Sequence, residues 1–350
     1  MLQMILLLFA ALFAQAPQPP SCASSGNIKY VCGLSGPEDL VAVPGTPWLV
    51  ASALAGEGGL YLIDTKAGTG SKIYPSPNAP DRFDKTEYGA CPGPLAGDDR
   101  VMFRTHGVYL KAGRRSTHTV YAVHHGGRES IEVFELNAGT TPPSMTWIGC
   151  VVAQDPIGLN AVVALPDGGL AATNFDPRPP AGATGNALPS KLLSGEQNGE
   201  VWEWHSKNGW AKVPGSDAAG ANGLEVSTDG KWYYVAEWGS RSFMRLSRGK
   251  TPVDRKEISL GFRVDNVRWA PDGKTLLVAG QGGAAAQPGR GQPAQVSVVG
   301  RIDPQTMTYQ EIINQTLEPG LNAATVAVQV GSEFWVGSFR GDRITRYPAR

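Results

Sequence analysis

The chain of 350 residues carries no net charge, because 31 Lys and Arg balance 31 Asp and Glu. Without a field of one sign, nothing in the sequence favours nucleic acid or an anionic membrane surface as a partner. The sequence also lacks a P-loop and the GxGxxG, HExxH, CxxC and GxSxG motifs. It therefore shows none of the usual short signatures of nucleotide-binding proteins, zinc proteases, thiol oxidoreductases or serine hydrolases.

Long hydrophobic runs are also missing. The longest apolar stretch, ILLLFAALFA at residues 5–14, is half of the roughly 20 residues that a membrane-spanning helix needs, so we expect no stable membrane span. Small residues and the Pro-rich APQPPS follow it. This pattern is typical of a secretory signal, although no Lys or Arg precedes the run and the cleavage site stays open. We predict that residues 1–20 are a signal or N-terminal hydrophobic segment and that residues 21–350 fold, in a secreted or periplasmic protein.

The chain has only four cysteines. An even number behind a signal-like start favours disulfides over free thiols, with four buried reduced cysteines as the alternative. Of the three possible pairings we favour Cys22 with Cys32, which would pin the N-terminal segment, and Cys91 with Cys150, which would tie the segments that flank a predicted hairpin. The spacings suit none of the usual zinc patterns.

What the sequence has in quantity is turn residues, with 44 Gly and 27 Pro, which argues against helices. Between the turns one pattern is repeated six times: a polar residue, an apolar run, a Gly-containing turn and a second β-rich run. The polar residues that start the six units are Glu38, His106, Asn160, Asn222, Asn266 (preceded by Asp265) and Asn322. The units therefore follow each other at intervals of 44 to 68 residues.

Repeats near 50 residues with about four strands each are typical of β-propeller blades. We predict an all-β, single-domain, six-bladed β-propeller. In such a ring the innermost strand of each blade begins at the central channel, so Glu38, Asn160, Asn222 and Asp265 would converge on the axis as a cation-binding site. The alternative is that Asn and Asp stand at strand starts because they favour turns.

Several motifs, in order and at blade spacing, resemble a known family. They are PED at residues 37–39, His106-Gly107, YAVHHGGRESIEVFEL from Tyr121, Asn160, Asn222 in ANG and Asp265-Asn266 in VDN. Together they resemble the calcium-dependent six-bladed propeller hydrolases that include the paraoxonases and the SMP-30/gluconolactonase group. The resemblance runs from about Pro37 to Phe339.

The resemblance implies a catalytic Ca²⁺ ion at the bottom of the channel. Its implied ligands are Glu38, Asn160, Asn222, Asp265 and Asn266. Two carboxylates and three amide oxygens form a hard, all-oxygen set that suits Ca²⁺ better than Zn²⁺. The family's second, structural ion would use Asp39 and a carboxylate at position 161, where this chain has Ala161, so we expect one ion and not two.

The resemblance also implies two catalytic histidines. His106 is the expected base, because a neutral imidazole titrates near neutral pH. His125 is the expected support, with its neighbour His124 as the alternative, since only one of two adjacent strand residues can point inward. We also expect Trp238 to provide either an apolar wall for a substrate or blade packing.

The activity implied is metal-dependent hydrolysis of small lactones or aryl esters, with the metal polarising the carbonyl group and a histidine activating water. The alternative is a propeller that binds a small molecule or a protein without hydrolysis, or that runs another reaction, as strictosidine-synthase-like relatives do. Fold alone does not decide between them. A complete set of oxygen ligands favours the hydrolase.

Overall fold

The computed structural model describes residues 22–77, 79–178, 189–283, 295–317 and 321–349. Within these ranges the chain forms 24 strands in six four-stranded antiparallel sheets. The predicted all-β six-bladed propeller is confirmed. The two short helices of the described ranges are α1 (Gly97–Val101) and α2 (Pro189–Ser194).

The first three blades follow the chain from the innermost strand outward. Their strands are β2 (Leu40–Ala42), β3 (Trp48–Ala53), β4 (Gly59–Asp64) and β5 (Thr69–Tyr74); β6 (Arg104–Lys111), β7 (Thr117–His125), β8 (Ser130–Asn137) and β9 (Ser144–Val152); and β10 (Leu159–Ala164), β11 (Leu170–Asn174), β12 (Glu200–His205) and β13 (Gly209–Lys212).

The remaining blades follow the same order, except that the last one closes the ring. Its outer strand, β1 (Lys29–Cys32), comes from the other end of the chain and pairs with the final strand. The other strands are β14 (Ala221–Val226), β15 (Trp232–Glu237), β16 (Ser242–Ser247) and β17 (Arg255–Ser259); β18 (Arg263–Trp269), β19 (Leu276–Gly282), β20 (Val296–Asp303) and β21 (Thr308–Thr316); and β22 (Ala327–Val330), β23 (Glu333–Val336) and β24 (Arg343–Pro348).

The hairpin turns explain why the repeat folds locally as it does. In the turn between β18 and β19, Asp272 Oδ1 accepts the backbone N–H groups of Lys274 and Thr275 at 2.8 and 3.0 Å. Gly273 takes a φ of 62° there, which side chains with a Cβ rarely adopt. The Asp-Gly pair thus reverses the chain and sets the register of the hairpin.

The sixth predicted unit starts in a different place from the one we expected. The inner strand β22 begins at Ala327, five residues after Asn322. Thr325 stands beside the channel instead, and its hydroxyl group donates to the Glu38 backbone oxygen at 2.5 Å. With its Gly-Ser turn, this unit was one of the two weaker matches to the repeat.

Two disulfides join Cys22 to Cys32 and Cys91 to Cys150, the pairing that we favoured. The first fixes the segment before β1, and the second ties the connection between β5 and β6 to the outer strand β9. Disulfides of this kind are typical of oxidising compartments.

The predicted signal at residues 1–20 lies outside the described residues. Across the ranges that the structure describes, we find no helix with the length and apolar character to cross a bilayer.

Candidate functional site

Four of the five predicted ligands, and also His106, lie at breaks in strand register. Pairing of the inner strand with the next strand skips His106-Gly107 in β6, Asn160-Ala161 in β10, Asn222-Gly223 in β14 and Asp265-Asn266 in β18. A β-bulge at such a point adds a residue that is free of the ladder and redirects its side chain. Four neighbouring blades therefore turn polar side chains toward one end of the channel.

At two of these bulges the residue that follows the polar residue is a glycine, and the inner strand of the next blade passes too close for a side chain there. A Cβ atom on Gly107 would lie 2.4 Å from the Asn160 backbone oxygen, and one on Gly223 would lie 2.6 Å from the Asp265 backbone oxygen. Both distances are shorter than carbon and oxygen tolerate. Glycine at these points lets the bulged strands approach closely enough for their side chains to meet.

The side chains meet at the floor of a cavity of about 290 Å³, which we name the proximal cavity. The residues that line it are Glu38, Leu54, His106, Asn160, Phe175, Leu192, Asn222, Trp238, Asp265, Gln281, Phe339 and Arg340. Asn266 lies beneath this floor, with its Nδ2 atom donating to Glu38 Oε1 at 2.6 Å. The structure thus brings all five predicted ligands and His106 together.

Four oxygen atoms in this cluster have no hydrogen-bond partner among the described residues: Glu38 Oε2, Asn160 Oδ1, Asn222 Oδ1 and Asn266 Oδ1. All four residues are at most 4% exposed. A buried acceptor without a donor costs about 1–3 kcal/mol, so a group of four in one place is expected only where something else binds them. Oxygen atoms that converge without donors fit a cation.

Among the described residues, neither carboxyl group of the cluster forms an ion pair with Lys or Arg, and Glu38 Oε1 lies 3.8 Å from His106 Nε2. Burial raises the pKa of Glu38 well above its usual value, and the nearby Asp265 and Asp39 raise it further. Burial raises the pKa of Asp265 to about 7. A cation between these carboxylates would favour their charged forms and remove the cost of holding them together.

A chain of hydrogen bonds runs from His106 away from the cluster. His106 Nδ1 lies 3.0 Å from His125 Nε2, and His125 Nδ1 lies 2.9 Å from Glu129 Oε2. The other oxygen of Glu129 accepts the backbone N–H of Leu159 at 2.7 Å. Because an ionised Glu129 can only accept, His125 donates to it from Nδ1 and accepts from His106 at Nε2.

This arrangement leaves the Nε2 atom of His106 unprotonated. It lies 3.3 Å from Asn160 Nδ2, which can donate to it, so the Asn160 amide turns its oxygen toward the oxygen cluster. Burial, and to a smaller extent His125, lowers the pKa of His106 well below its usual value. At neutral pH His106 is therefore a neutral base at the edge of the cluster.

The structure decides between the two adjacent histidines. His124 faces the other side of β7, is fully buried and stacks on Phe103 with ring centroids 4.8 Å apart. Burial lowers its pKa to about 4. His125 is the one that contacts His106.

The cavity wall and the polar floor are linked by Gln281, a residue that sequence reasoning missed. Its amide nitrogen donates to Asp265 Oδ2 at 2.6 Å and to the Ala324 backbone oxygen at 2.7 Å. Its amide oxygen accepts the indole N–H of Trp238 at 2.7 Å. Trp238 also contacts Arg263, whose guanidinium lies 4.1 Å from the centre of a Trp238 ring. Trp238 therefore forms a fixed wall of the proximal cavity.

The resemblance assigned Asp39 to a second, structural metal ion. In the structure Asp39 pairs with an arginine instead. Its carboxylate accepts the backbone N–H groups of Val108 and Leu40, each at 2.8 Å, and pairs with the guanidinium of Arg268. Arg268 also donates to the Leu40, Val267 and Val108 backbone oxygens. Asp39 is fully buried and Arg268 is 5% exposed. A positive side chain thus fills the middle of the channel beneath the oxygen cluster.

Within the described ranges, no group of three or more His, Cys, Asp and Glu residues is arranged to hold a metal ion. The cluster is different in composition, with two carboxylates and three amides. Mixed carboxylate and amide oxygens are ordinary ligands for Ca²⁺ and poor ones for Zn²⁺.

The fold is similar to solved propeller structures. A luciferin-regenerating enzyme has a TM-score of 0.57 at 13% identity, over 91% of this chain and 94% of that chain. A putative gluconolactonase has a TM-score of 0.52 at 14% identity, over 92% and 91%. A calcium-binding protein, regucalcin from Agrobacterium tumefaciens, has a TM-score of 0.52 at 13% identity, over 90% of each chain.

In sequence, no family model and no curated protein matches this chain. At 13–14% identity the structural likeness establishes the propeller fold and leaves the activity to be argued from the site.

Proposed function

We propose that this protein is a secreted, Ca²⁺-dependent hydrolase of apolar lactones or aryl esters. One observation carries the proposal: unpartnered buried oxygens and a neutral, hydrogen-bonded histidine share the floor of one cavity. A propeller that binds a ligand without hydrolysing it does not need a cation-binding oxygen cluster together with a neutral histidine base. The two disulfides support an extracytoplasmic location.

The residues present fit a calcium ion. Glu38, Asn160, Asn222, Asp265 and Asn266 supply an oxygen set with a net charge of −2, and hard cations prefer such ligands. A bound Ca²⁺ would polarise the carbonyl group of an ester and stabilise the negative charge that develops on its oxygen.

His106 supplies the base in this proposal. Its unprotonated Nε2 faces the cluster, where it can remove a proton from the attacking water and return it to the leaving oxygen. His125 accepts the His106 Nδ1 proton in a hydrogen bond, and Glu129 fixes the orientation of His125. This pair holds the tautomer that hydrolysis requires.

The walls of the proximal cavity favour an apolar substrate. Leu54, Phe175, Leu192, Trp238 and Phe339 surround the polar floor. Arg340 also lines the cavity and could pair with only part of the hydroxyl groups of a sugar lactone. The others would lie against the apolar side chains without partners, which is costly. An alkyl-substituted lactone or a phenyl ester would bury apolar surface instead.

The proposal is tested by measuring hydrolysis of an alkyl γ-lactone, a δ-sugar lactone and phenyl acetate, with calcium and after chelation. We expect activity on the first and third substrates that disappears on chelation and returns with calcium. Folded, calcium-loaded protein without turnover would overturn the hydrolase and favour the binding propeller.

Replacing His106 with Gln is expected to lower kcat by about 10²–10⁴-fold, because the base is lost. Calcium affinity, measured by calorimetry, should change little, since His106 approaches the cluster without supplying one of its oxygens. His205→Gln is the matched control: His205 lies on β12 beside Glu203, away from the cavity, and its loss should leave kcat unchanged. If His106→Gln abolishes calcium binding as well, His106 supports the site and is not the base.

Replacing Gln281 with Leu is expected to weaken calcium binding by about 10–100-fold, the usual effect of removing a residue that orients a metal ligand. Asp265 would lose its donor and Trp238 would lose its acceptor, so KM should rise too. Gln329→Leu, in a different cavity, is the control. Unchanged calcium affinity in Gln281→Leu would show that Asp265 needs no orienting partner.

A further inference from the structure

A second cavity lies at the other end of the central channel. Its volume is about 490 Å³, within the usual range of small-molecule sites. It is lined by later residues of the inner strands, among them Tyr109, Glu225 and Arg268. Glu225 comes three residues after Asn222 on β14, and a strand rises about 3.3 Å per residue, so these two positions are about 10 Å apart. We name this space the distal cavity.

The two cavities are separated by the ion pair of Arg268 and Asp39. Arg268 lines the distal cavity, whereas Asp39 directly follows Glu38 of the proximal cavity and lines neither space. Both members of the pair are buried. A ligand of the distal cavity would therefore make no direct contact with the proposed calcium ligands.

The distal cavity contains a buried carboxylate, Glu225, with one oxygen that has no hydrogen-bond partner among the described residues, although backbone N–H groups of Val226 and Trp269 donate to the carboxyl group. Glu225 is 3% exposed, and its Oε2 atom has no partner among the described residues. The nearest cation is Arg268, whose Nη1 atom lies 3.9 Å from Glu225 Oε1, beyond hydrogen-bond distance. Arg268 already donates to Asp39 and to three backbone oxygens. Arg268 therefore compensates the charge of Glu225 only in part, and Glu225 Oε2 has no donor.

The pKa of Glu225 reflects this environment. Burial raises it to about 7, although the charge of Arg268 acts in the opposite direction. A cationic partner at Oε2 would replace the water that the carboxylate has lost.

Most of the remaining side chains are apolar or aromatic, although Thr46, Thr65 and Gln329 also line the cavity. Its lining includes Val41, Val43, Tyr109, Trp269, Val328 and Val330. Aromatic faces attract cations, and aliphatic side chains bury the hydrocarbon part of a ligand. A metal ion is a poor fit, because one carboxylate among valines does not provide six or more oxygen ligands.

We propose that the distal cavity binds a small organic cation, a primary ammonium group on an aromatic or branched-alkyl body. The ammonium group donates to Glu225 Oε2, and the body packs against the valines and Trp269. This site is separate from the proposed hydrolytic centre and holds whether or not that centre hydrolyses esters.

The test is calorimetric titration of the purified protein with benzylamine and cyclohexylamine, and with benzyl alcohol as a neutral analogue. We expect the amines to bind at least about tenfold more tightly than the alcohol, the usual value of one hydrogen bond to a charged group. Glu225→Gln should weaken amine binding by a similar factor. Glu237→Gln is the matched control, because Glu237 is a buried carboxyl on the next strand of the same blade, bonded to Ser242, and should leave binding unchanged.

A second variant keeps the test decisive if Glu225→Gln does not fold. Ala42 is exposed and lines the distal cavity, so Ala42→Trp should fill the cavity and remove amine binding without disturbing the core. No amine binding at millimolar concentration, equal affinity for the alcohol, or binding that survives Ala42→Trp would overturn the proposal. So would binding that is lost in Asn222→Ala but kept in Glu225→Gln, which would place the amine in the proximal cavity.

Discussion

Replacing Asn222 with Ala is expected to abolish calcium-dependent hydrolysis and to weaken calcium binding by at least about 100-fold. The change removes one of the unpartnered oxygens from the centre of the proposed ligand set, and no neighbouring side chain replaces it. Calcium affinity by calorimetry and turnover of phenyl acetate measure the two effects. Where the calcium concentration is 100 times the Kd of the parent, complete loss of calcium binding costs about 2.7 kcal/mol of ligand-linked stability.

The same variant should stay folded when calcium is chelated. Asn222 Oδ1 makes no hydrogen bond that would be lost, and the Asn222 backbone oxygen, which accepts the Thr173 hydroxyl group at 2.6 Å, is kept. The variant loses the side-chain interaction of Asn222 with Asp265. We therefore expect unfolding in chelator to match the parent within about 1 kcal/mol. Asn314→Ala is the control, because Asn314 is exposed on β21 and its side chain donates to Glu311. Full turnover with calcium still bound in Asn222→Ala would contradict the metal assignment.

Replacing Arg268 with Met is expected to destabilise the fold by about 3–5 kcal/mol, the usual cost of leaving one member of a buried ion pair without its partner. Asp39 would keep its two backbone donors and lose its counter-charge at the centre of the ring. The backbone oxygens of Leu40 and Val108 would lose donors as well. Urea unfolding with the disulfides intact measures the loss.

The double variant Asp39→Asn/Arg268→Met tests the cause. Removing the charge of Asp39 should recover part of the lost stability, because the buried carboxylate is the expensive group. Arg245→Met is the control: Arg245 stacks on Trp232 at 4.6 Å and donates to two backbone oxygens near the surface, so about 1 kcal/mol or less is expected. If Arg268→Met lowers the free energy of unfolding by less than about 1 kcal/mol, the channel interior is hydrated enough to accommodate the unpaired Asp39 carboxylate.

The local repeat made most of the fold predictable. Alternating apolar residues and Asp-Gly turns specify a hairpin over a dozen residues, and repetition of that hairpin leads to a ring. The identities of the polar residues that start the units were therefore readable, as was the cysteine pairing. One of the two weaker units, around Asn322, was misplaced by five residues because its turn carried little information.

The contacts between blades were not readable in this way. Glu129 shares the segment HHGGRES with His125, so its place beside that histidine had a local signal. Gln281 lies at the end of β19 in a Gly-rich stretch, with nothing in its neighbourhood to indicate a bond to Asp265 and Trp238. Arg268 lies 229 residues from Asp39 along the chain, inside a strand of otherwise buried residues.

Strand periodicity and turn chemistry act between near neighbours, so the sequence was enough to set the hairpins, their number and the residues that face the axis. Ring closure brings residues from distant blades together, and it determines which side chains contact each other across the channel. The bulges direct four polar side chains to one cavity, His125 rather than His124 meets His106, and Arg268 fills the channel centre. Each of these depends on the relative position of whole blades, which no local pattern encodes.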